Sequence, residues 1–263
     1  MAVGLTVCVL VMILGWIYAR NRNNYSYVDA LWALNMGLLA LVYSAQLDGY
    51  PLRKLIILGL VSLWSYRLSW HLFRRIHGRP EESRYQQLRL NWRTQIPGKF
   101  LLFFLAQALL NVLLSAPMAL AMLRAGWIFS ALEVAGYSLF VLALIGEHIA
   151  DRQLQRFKMN PENRGKVCED GLWAYSRHPN YFFDWLSWVA LALMATFAYG
   201  SSNSEIALWS LAAWLAPALM LYFFLFVTGI PPTEAQSLAH RGDAYRDYQR
   251  RVSAFFPWFP RSP

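Results

Sequence analysis

The chain has 263 residues, of which 57% are hydrophobic and only 15% charged, with a formal net charge of +9. A soluble domain carries about 25% charged residues, and a water-facing sphere of this size needs more polar surface than such a composition supplies. This excludes a disordered, collagen-like or coiled-coil chain and fits an integral membrane protein, whose positive balance reflects topology, so no nucleic-acid partner is expected.

A bilayer core takes about 20 apolar residues in helix, and the chain offers seven such runs. The first, 2–19, has no basic region before it and no cleavage site after it, and reads as a retained span. The second, 29–47, opens on Asp29, with Trp32 on the next turn. The third, 52–73, carries Arg67 and His71 four residues apart and therefore on one face. A polar segment, 74–98, follows, with Gly78-Arg79-Pro80 and Tyr85. Then come runs 99–123 and 126–149, the second with Glu133 near its start and Glu147 and His148 at its end. After the polar segment 150–179, run 180–199 opens with Asn180 and Asp184, and 205–228 leads into the polar tail 229–263. The runs are built from Leu, Ala, Val and Phe without the alternation of a membrane-barrel strand. They predict an all-α polytopic membrane protein with seven transmembrane helices. With no internal repeat or low-complexity linker, residues 1–263 read as one membrane-embedded domain, richest in motifs over 147–259. Cys8 and Cys168 are the two cysteines, and nothing suggests a disulfide framework or a metal site.

Charge gives the orientation. With seven spans, the segments after runs 1, 3 and 5 share a side with the tail, and they hold 20 of the 24 Lys and Arg residues. The opposite side holds Arg53, Lys54 and Arg124, and Arg67 lies inside a run. The positive-inside rule puts the N-terminus outside and the C-terminus in the cytoplasm, where nucleotide cofactors are available.

Ionisable groups inside spans are costly and usually functional. Arg67 and Asp184 lie farthest from the basic loops, whereas Glu133 reads as a group that pairs locally or reaches the interface. Segment 147–188 is the richest. Asp151, Leu154 and Lys158 recur at helical spacing on an extension of the fifth run. Lys158, Arg164, Lys166, Arg177 and His178 then gather positive charge near the mouth of the bundle. Such a cluster suits a pyrophosphate or, equally, lipid headgroups. Gly171 allows a close backbone approach, and Pro179 fits the first turn of a helix whose N-terminus favours an anion.

The order of these residues resembles the C-terminal domain of the steroid 5α-reductase family, and within it the bacterial members. Asp151, Leu154 and Lys158 match that family's Asp-x-x-Leu-x-x-x-basic pattern. Lys166 stands five residues before Gly171-Leu172-Trp173, where the family has an Arg before Gly-Leu-Phe. Asn180 and Tyr181 match its Asn-Tyr, and Asp184 stands where it usually has Glu. Arg67 and Arg79 resemble its third-span Arg and its Arg-Gly-Arg-Pro. The tail, with Gly229, Pro231, Glu234, Tyr245 and Tyr248, is similar to the bacterial branch. The likeness is strong over about forty residues and thin in runs 1, 2 and 4. It implies a bacterial inner-membrane enzyme that binds NADPH through Arg67, Arg79, Asp151, Leu154, Lys158, Lys166, Gly171, Arg177, His178, Asn180, Tyr181, Asp184 and Tyr245. It also implies hydride transfer to the conjugated C=C bond of an apolar, lipid-like or steroid-like enone that enters from the bilayer lipids.

The better-known reductases polarise the substrate carbonyl with a Gln-Glu pair near the second span and a Tyr on the third. No Gln-Glu pair is present here; Asp29 is the stand-in, and Tyr66 or Tyr85 is the candidate phenol. Ser176-Arg177-His178-Pro179-Asn180-Tyr181 also resembles the Arg-His-Pro-x-Tyr of membrane methyltransferases for isoprenylated cysteine or phospholipid, which bind S-adenosylmethionine. Those carry a Glu-Glu pair near the last span, where this chain has the single Glu234. A transporter or lipid-binding scaffold would need polar residues at mid-depth in several spans, and runs 4 and 7 have few.

Overall fold

In lipid every backbone polar group must be satisfied within the chain, so long apolar segments fold as helices. The computed structural model describes residues 1–196 and 210–261, and the described residues are helical with no strand. They form two compact units, residues 1–129 and 130–263.

The first unit contains α1 (Ala2–Asn21), α2 (Tyr27–Gln46), α3 (Pro51–Ile76), α4 (Ser83–Trp92), α5 (Ile96–Leu114) and α6 (Ala116–Met122). Lipid tails are as apolar as Leu, so helix association there relies on close packing and interhelical hydrogen bonds worth about 0.6–2 kcal/mol each. The α2–α3 pair is built this way. Ser65 Oγ donates to Ala33 O at 2.6 Å and accepts from Gly37 N at 3.1 Å, and Ser69 Oγ donates to Ala30 O at 2.8 Å. Asn35 Nδ2 reaches Asn111 Oδ1 on α5 at 3.3 Å, and the Tyr43 hydroxyl lies 2.9 Å from Ser115 Oγ. The expected fourth span is interrupted at Ser115, because Pro117 has no N–H to continue the ladder. Arg53, expected in an outer loop, is fully buried in α3. Its guanidinium donates to the carbonyls of Arg124, Gly126 and Ile128, at 2.8, 2.6 and 3.2 Å.

The second unit contains α7 (Ala131–Met159), short 3₁₀ turns at Pro161–Asn163 and Gly171–Ala174, α8 (Pro179–Ala195), α9 (Leu215–Tyr222), α10 (Ile230–Arg241) and α11 (Asp243–Arg251). Helix α7 starts at Ala131, five residues later than expected. Ser130 caps it: Ser130 Oγ accepts from Glu133 N at 3.2 Å, and Glu133 Oε2 accepts from Ser130 N at 3.3 Å. Glu133 thus has the local role expected of it. At its other end α7 runs to Met159, carrying Asp151, Leu154 and Lys158 as a helical extension. Helices α7 and α8 pack closely: a Cβ on Gly146 would meet the Phe183 ring at 2.3 Å. After α9 the chain makes one wide turn, Phe223–Val227, where Thr228 N bonds Phe223 O at 2.9 Å, and Pro231 and Pro232 then open α10.

Among the described residues, six helical stretches are long and apolar enough to cross a membrane: Ala2–Asn21, Tyr27–Gln46, Pro51–Ile76, Ile96–Met122, Ala131–Met159 and Ser210–Arg241. The expected span 180–199 corresponds to α8, which has 17 residues; residues 197–199 and the start of the expected run 205–228 lie outside the described residues.

Candidate functional site

The sequence-predicted residues divide between the units. In the first, Asp29 opens α2 and receives two side chains from the α4 region. Tyr85 Oη donates to Asp29 Oδ1 at 2.6 Å, and the Arg84 guanidinium pairs with Asp29 Oδ2. Tyr85 is buried, and burial holds its phenol well above its ordinary pKa. A neighbouring group, Glu81, accepts from Arg89 Nε at 2.5 Å and from Tyr25 N at 2.6 Å. Of the two candidate phenols, then, Tyr85 is the one joined to Asp29. Tyr66 lies 67% exposed on the outer face of α3 and takes no part in this group, because its helical position points it away from the α2 side that buries Ser65. Arg67 is partly buried on α3. Arg79 is exposed, and its carbonyl accepts from Asn24 Nδ2 at 3.1 Å.

In the second unit the motif residues meet at one end of α7 and α8. Gln153 on α7 turns toward the following loop, and its Oε1 accepts from Leu172 N at 3.0 Å. Gly171 has φ +60°, and a Cβ there would meet Gln153 Nε2 at 2.2 Å, so both the turn and the close approach require glycine. Trp173 Nε1 donates to Ala150 O at 3.0 Å and fastens the same loop to α7. Asn180, in the first turn of α8, donates from Nδ2 to Asp151 Oδ1 at 3.3 Å. One turn deeper lie two buried carboxylates, Glu147 on α7 and Asp184 on α8. Leu154 is partly buried beside this end, while Lys158, Arg164 and Lys166 are exposed around it.

Arg177 and His178, expected at a bound anion, are both engaged by one carboxylate of the tail. Arg177 Nε donates to Glu234 Oε1 at 2.7 Å, and one terminal nitrogen donates to Val252 O at 2.6 Å and Gln249 O at 3.0 Å. His178 Nε2 lies 3.2 Å from the same Glu234 oxygen. A carboxylate only accepts, so Nε2 carries the proton. Burial lowers the His178 pKa, and Glu234 opposes that shift only in part. The imidazole stacks on Tyr181 at 5.4 Å, and Tyr181 stacks on Phe224 at 5.3 Å. Gln249 Nε2 completes the cluster, donating to Glu234 Oε2 at 2.7 Å. The positive charge at Arg177 is therefore answered inside the chain.

The tail closes over this cluster. Arg177 N bonds Ser253 O at 2.8 Å, Ser176 Oγ bonds Phe255 O at 2.8 Å, and Trp258 N bonds Tyr175 O at 2.9 Å. Tyr248 Oη donates to Trp173 O at 2.5 Å. Tyr245, expected at a cofactor, is instead buried in a small core with Tyr248 and Val252, because its place on α11 faces that core. Glu234, Gln249 and Tyr248 were not singled out as site residues. The available signal for Glu234 was its position as the one glutamate of the polar tail 229–263.

Mostly helical and without a strand among its described residues, with six apolar helices of membrane length, the chain is compatible with an integral multi-pass membrane protein. It belongs to the family described as "Protein of unknown function (DUF1295)", which matches residues 15–252 and is related to steroid 5α-reductase-like and methyltransferase-like membrane proteins. It is 29% identical to an uncharacterized protein of Schizosaccharomyces pombe over 269 residues, covering 92% of this chain and 75% of that protein. It is 36% identical over 89 residues to a protein named "Probable O-methyltransferase ustE" from Ustilaginoidea virens, covering 33% of this chain and 31% of that one. No solved structure matches. The longer match is to a fission-yeast protein, which lends no support to the expected bacterial inner membrane.

Proposed function

We propose that the chain is a membrane-embedded reductase that binds NADPH and passes a hydride to the conjugated C=C bond of an apolar, lipid-like enone. The observation that supports this reading is the meeting of Asp151, the Gly171–Trp173 loop and Asn180 at one end of the α7–α8 pair, although they are spread over 30 residues of sequence. These are the positions that carry the resemblance to steroid 5α-reductases. The donor set fits a dinucleotide. Asp151 would accept from a ribose hydroxyl with Asn180 orienting it, and the exposed Lys158, Arg164 and Lys166 would answer the phosphates. NADPH, when bound, supplies the hydride. The chain must hold it, exclude water and deliver a proton to the enolate that results. A candidate acid from the sequence, Tyr85, lies in the first unit, where burial keeps its phenol protonated and Asp29 orients it. This reading has the C-terminal tail in the cytoplasm, where NADPH is found, and the charge asymmetry of the sequence supports it.

A second reading has its own support. The partial relative is named an O-methyltransferase, and Arg177-His178-Pro179 precedes α8 as in the membrane methyltransferases it resembles. Calorimetry on the detergent-purified protein separates the two. Tighter binding of NADPH than of S-adenosylmethionine is the expected result, and the reverse order replaces the reductase by a methyltransferase.

A further inference from the structure

The C-terminal segment builds a cavity that the proposed reaction does not use. Its volume is about 330 Å³, and its lining includes Arg177, Arg250, Arg251, Arg261, Trp258 and Phe259, with no acidic side chain among the lining residues. The carboxylates that pair with these arginines stand outside that lining. Glu234 holds Arg177, Glu169 holds both terminal nitrogens of Arg251 at 2.9 and 3.0 Å, and Asp247 holds Arg251 and Arg250 at 2.8 and 3.0 Å. Two of the lining arginines stay open to solvent: Arg250 has a side chain 75% exposed, and Arg261 is exposed. Arg261 N bonds Arg251 O at 2.9 Å, which folds the end of the tail back over the cavity.

Depth supplies the second argument. Arg177 lies two residues before the apolar helix α8, and its guanidinium binds the carbonyls of Gln249 and Val252. Where α8 enters lipid, the cavity is therefore at the level of the headgroups. Trp258 and Phe259 are 72% and 76% exposed beside it. In water two such neighbours would be a liability, whereas at a membrane interface aromatic side chains are favoured and basic ones attract anionic lipid. We propose that this cavity seats the phosphate of an anionic phospholipid, held by Arg250 and Arg261, with Trp258 and Phe259 lying against the glycerol and the upper acyl chains.

Native mass spectrometry of the full chain in zwitterionic detergent, with phosphatidylglycerol and phosphatidylcholine added in equal amounts, tests this. The wild type is expected to retain phosphatidylglycerol by about tenfold over phosphatidylcholine. The Arg250→Gln/Arg261→Gln double variant is expected to lose that preference while keeping the wild-type melting point, since both side chains are exposed. A wild type without preference, or a double variant that keeps it, overturns the proposal. If millimolar inorganic phosphate displaces the lipid completely, the seat belongs to a soluble phosphate instead and the lipid assignment falls. NADPH affinity is measured on the same samples. The reductase reading stands or falls on that number, and lipid preference stands or falls without it.

Discussion

Arg177 Nε and Glu234 Oε1 lie 2.7 Å apart, with side chains only 11% and 13% exposed. They are 57 residues apart in sequence, and their contact joins the start of α8 to α10. Removing one partner of a buried pair leaves the other charge uncompensated, which costs about 3–5 kcal/mol. Glu234→Ala is therefore expected to lower the detergent-state stability by that order in a denaturant titration. Glu234→Gln keeps an acceptor oxygen for Arg177 and is expected to lose less. Equal losses in the two variants would show that the charge is irrelevant there.

The lowered pKa of His178 makes stability depend on pH with a definite sign. The unfolded imidazole takes up its proton at about pH 6.5, and the folded one only at lower pH. Between those values the unfolded state binds more protons, so stability is complete above the unfolded pKa and declines as pH falls toward the folded one. Melting of the wild type is expected to move to lower temperature from pH 7.5 to pH 5, and less so in His178→Gln. A wild-type melting point that rises on acidification more than the variant's contradicts this.

Gly171→Ala places a Cβ on a left-handed residue and against Gln153. The backbone cost alone is about 1–2 kcal/mol. Truncating Gln153 to Ala in the same chain is expected to relieve the clash and leave that backbone cost. Under the reductase reading NADPH affinity falls with Gly171→Ala and recovers only partly in the double variant. Full recovery would remove the conformational argument.

Tyr66 and Tyr85 were equivalent candidates in the sequence, and the structure separates them. Turnover in Tyr85→Phe is expected to fall about 100-fold, the lower end of what a positioned acid contributes, with NADPH affinity unchanged. Tyr66→Phe is expected to match the wild type. Steady-state kinetics with an apolar enone decides, and a silent Tyr85→Phe takes away the assigned acid.

Asn180→Ala removes the bond to Asp151 that joins α7 to α8 at the mouth. NADPH affinity is expected to drop about tenfold, equivalent to one hydrogen bond of about 1.4 kcal/mol, with the helices still folded by circular dichroism. Unchanged affinity in a folded variant takes Asn180 off the cofactor.

What was legible in the sequence follows from short-range physics. Apolar length marked the six membrane-length helices, helical spacing carried Asp151, Leu154 and Lys158 onto one extension of α7, and Gly171 marked a close backbone approach. The start of α7 was misplaced because Gly126 to Phe129 look as apolar as a span, and only the Ser130–Glu133 cap shows where the helix begins. Arg53 looked like an outer-loop cation because nothing local reveals three carbonyls more than 70 residues away. The surroundings of Arg177 and Tyr245 were hidden for the same reason: their partners come from chain segments that charge and spacing do not connect.

The bonds from Tyr175, Ser176 and Arg177 to Trp258, Phe255 and Ser253 have a consequence for biogenesis. The entrance at this end of α7 and α8 is completed by Ser253, Phe255 and Trp258, which leave the ribosome only after α8 to α11. Its helices insert while that doorway is still unframed, and a stop codon near position 250 would release a chain with its spans in place and its threshold missing.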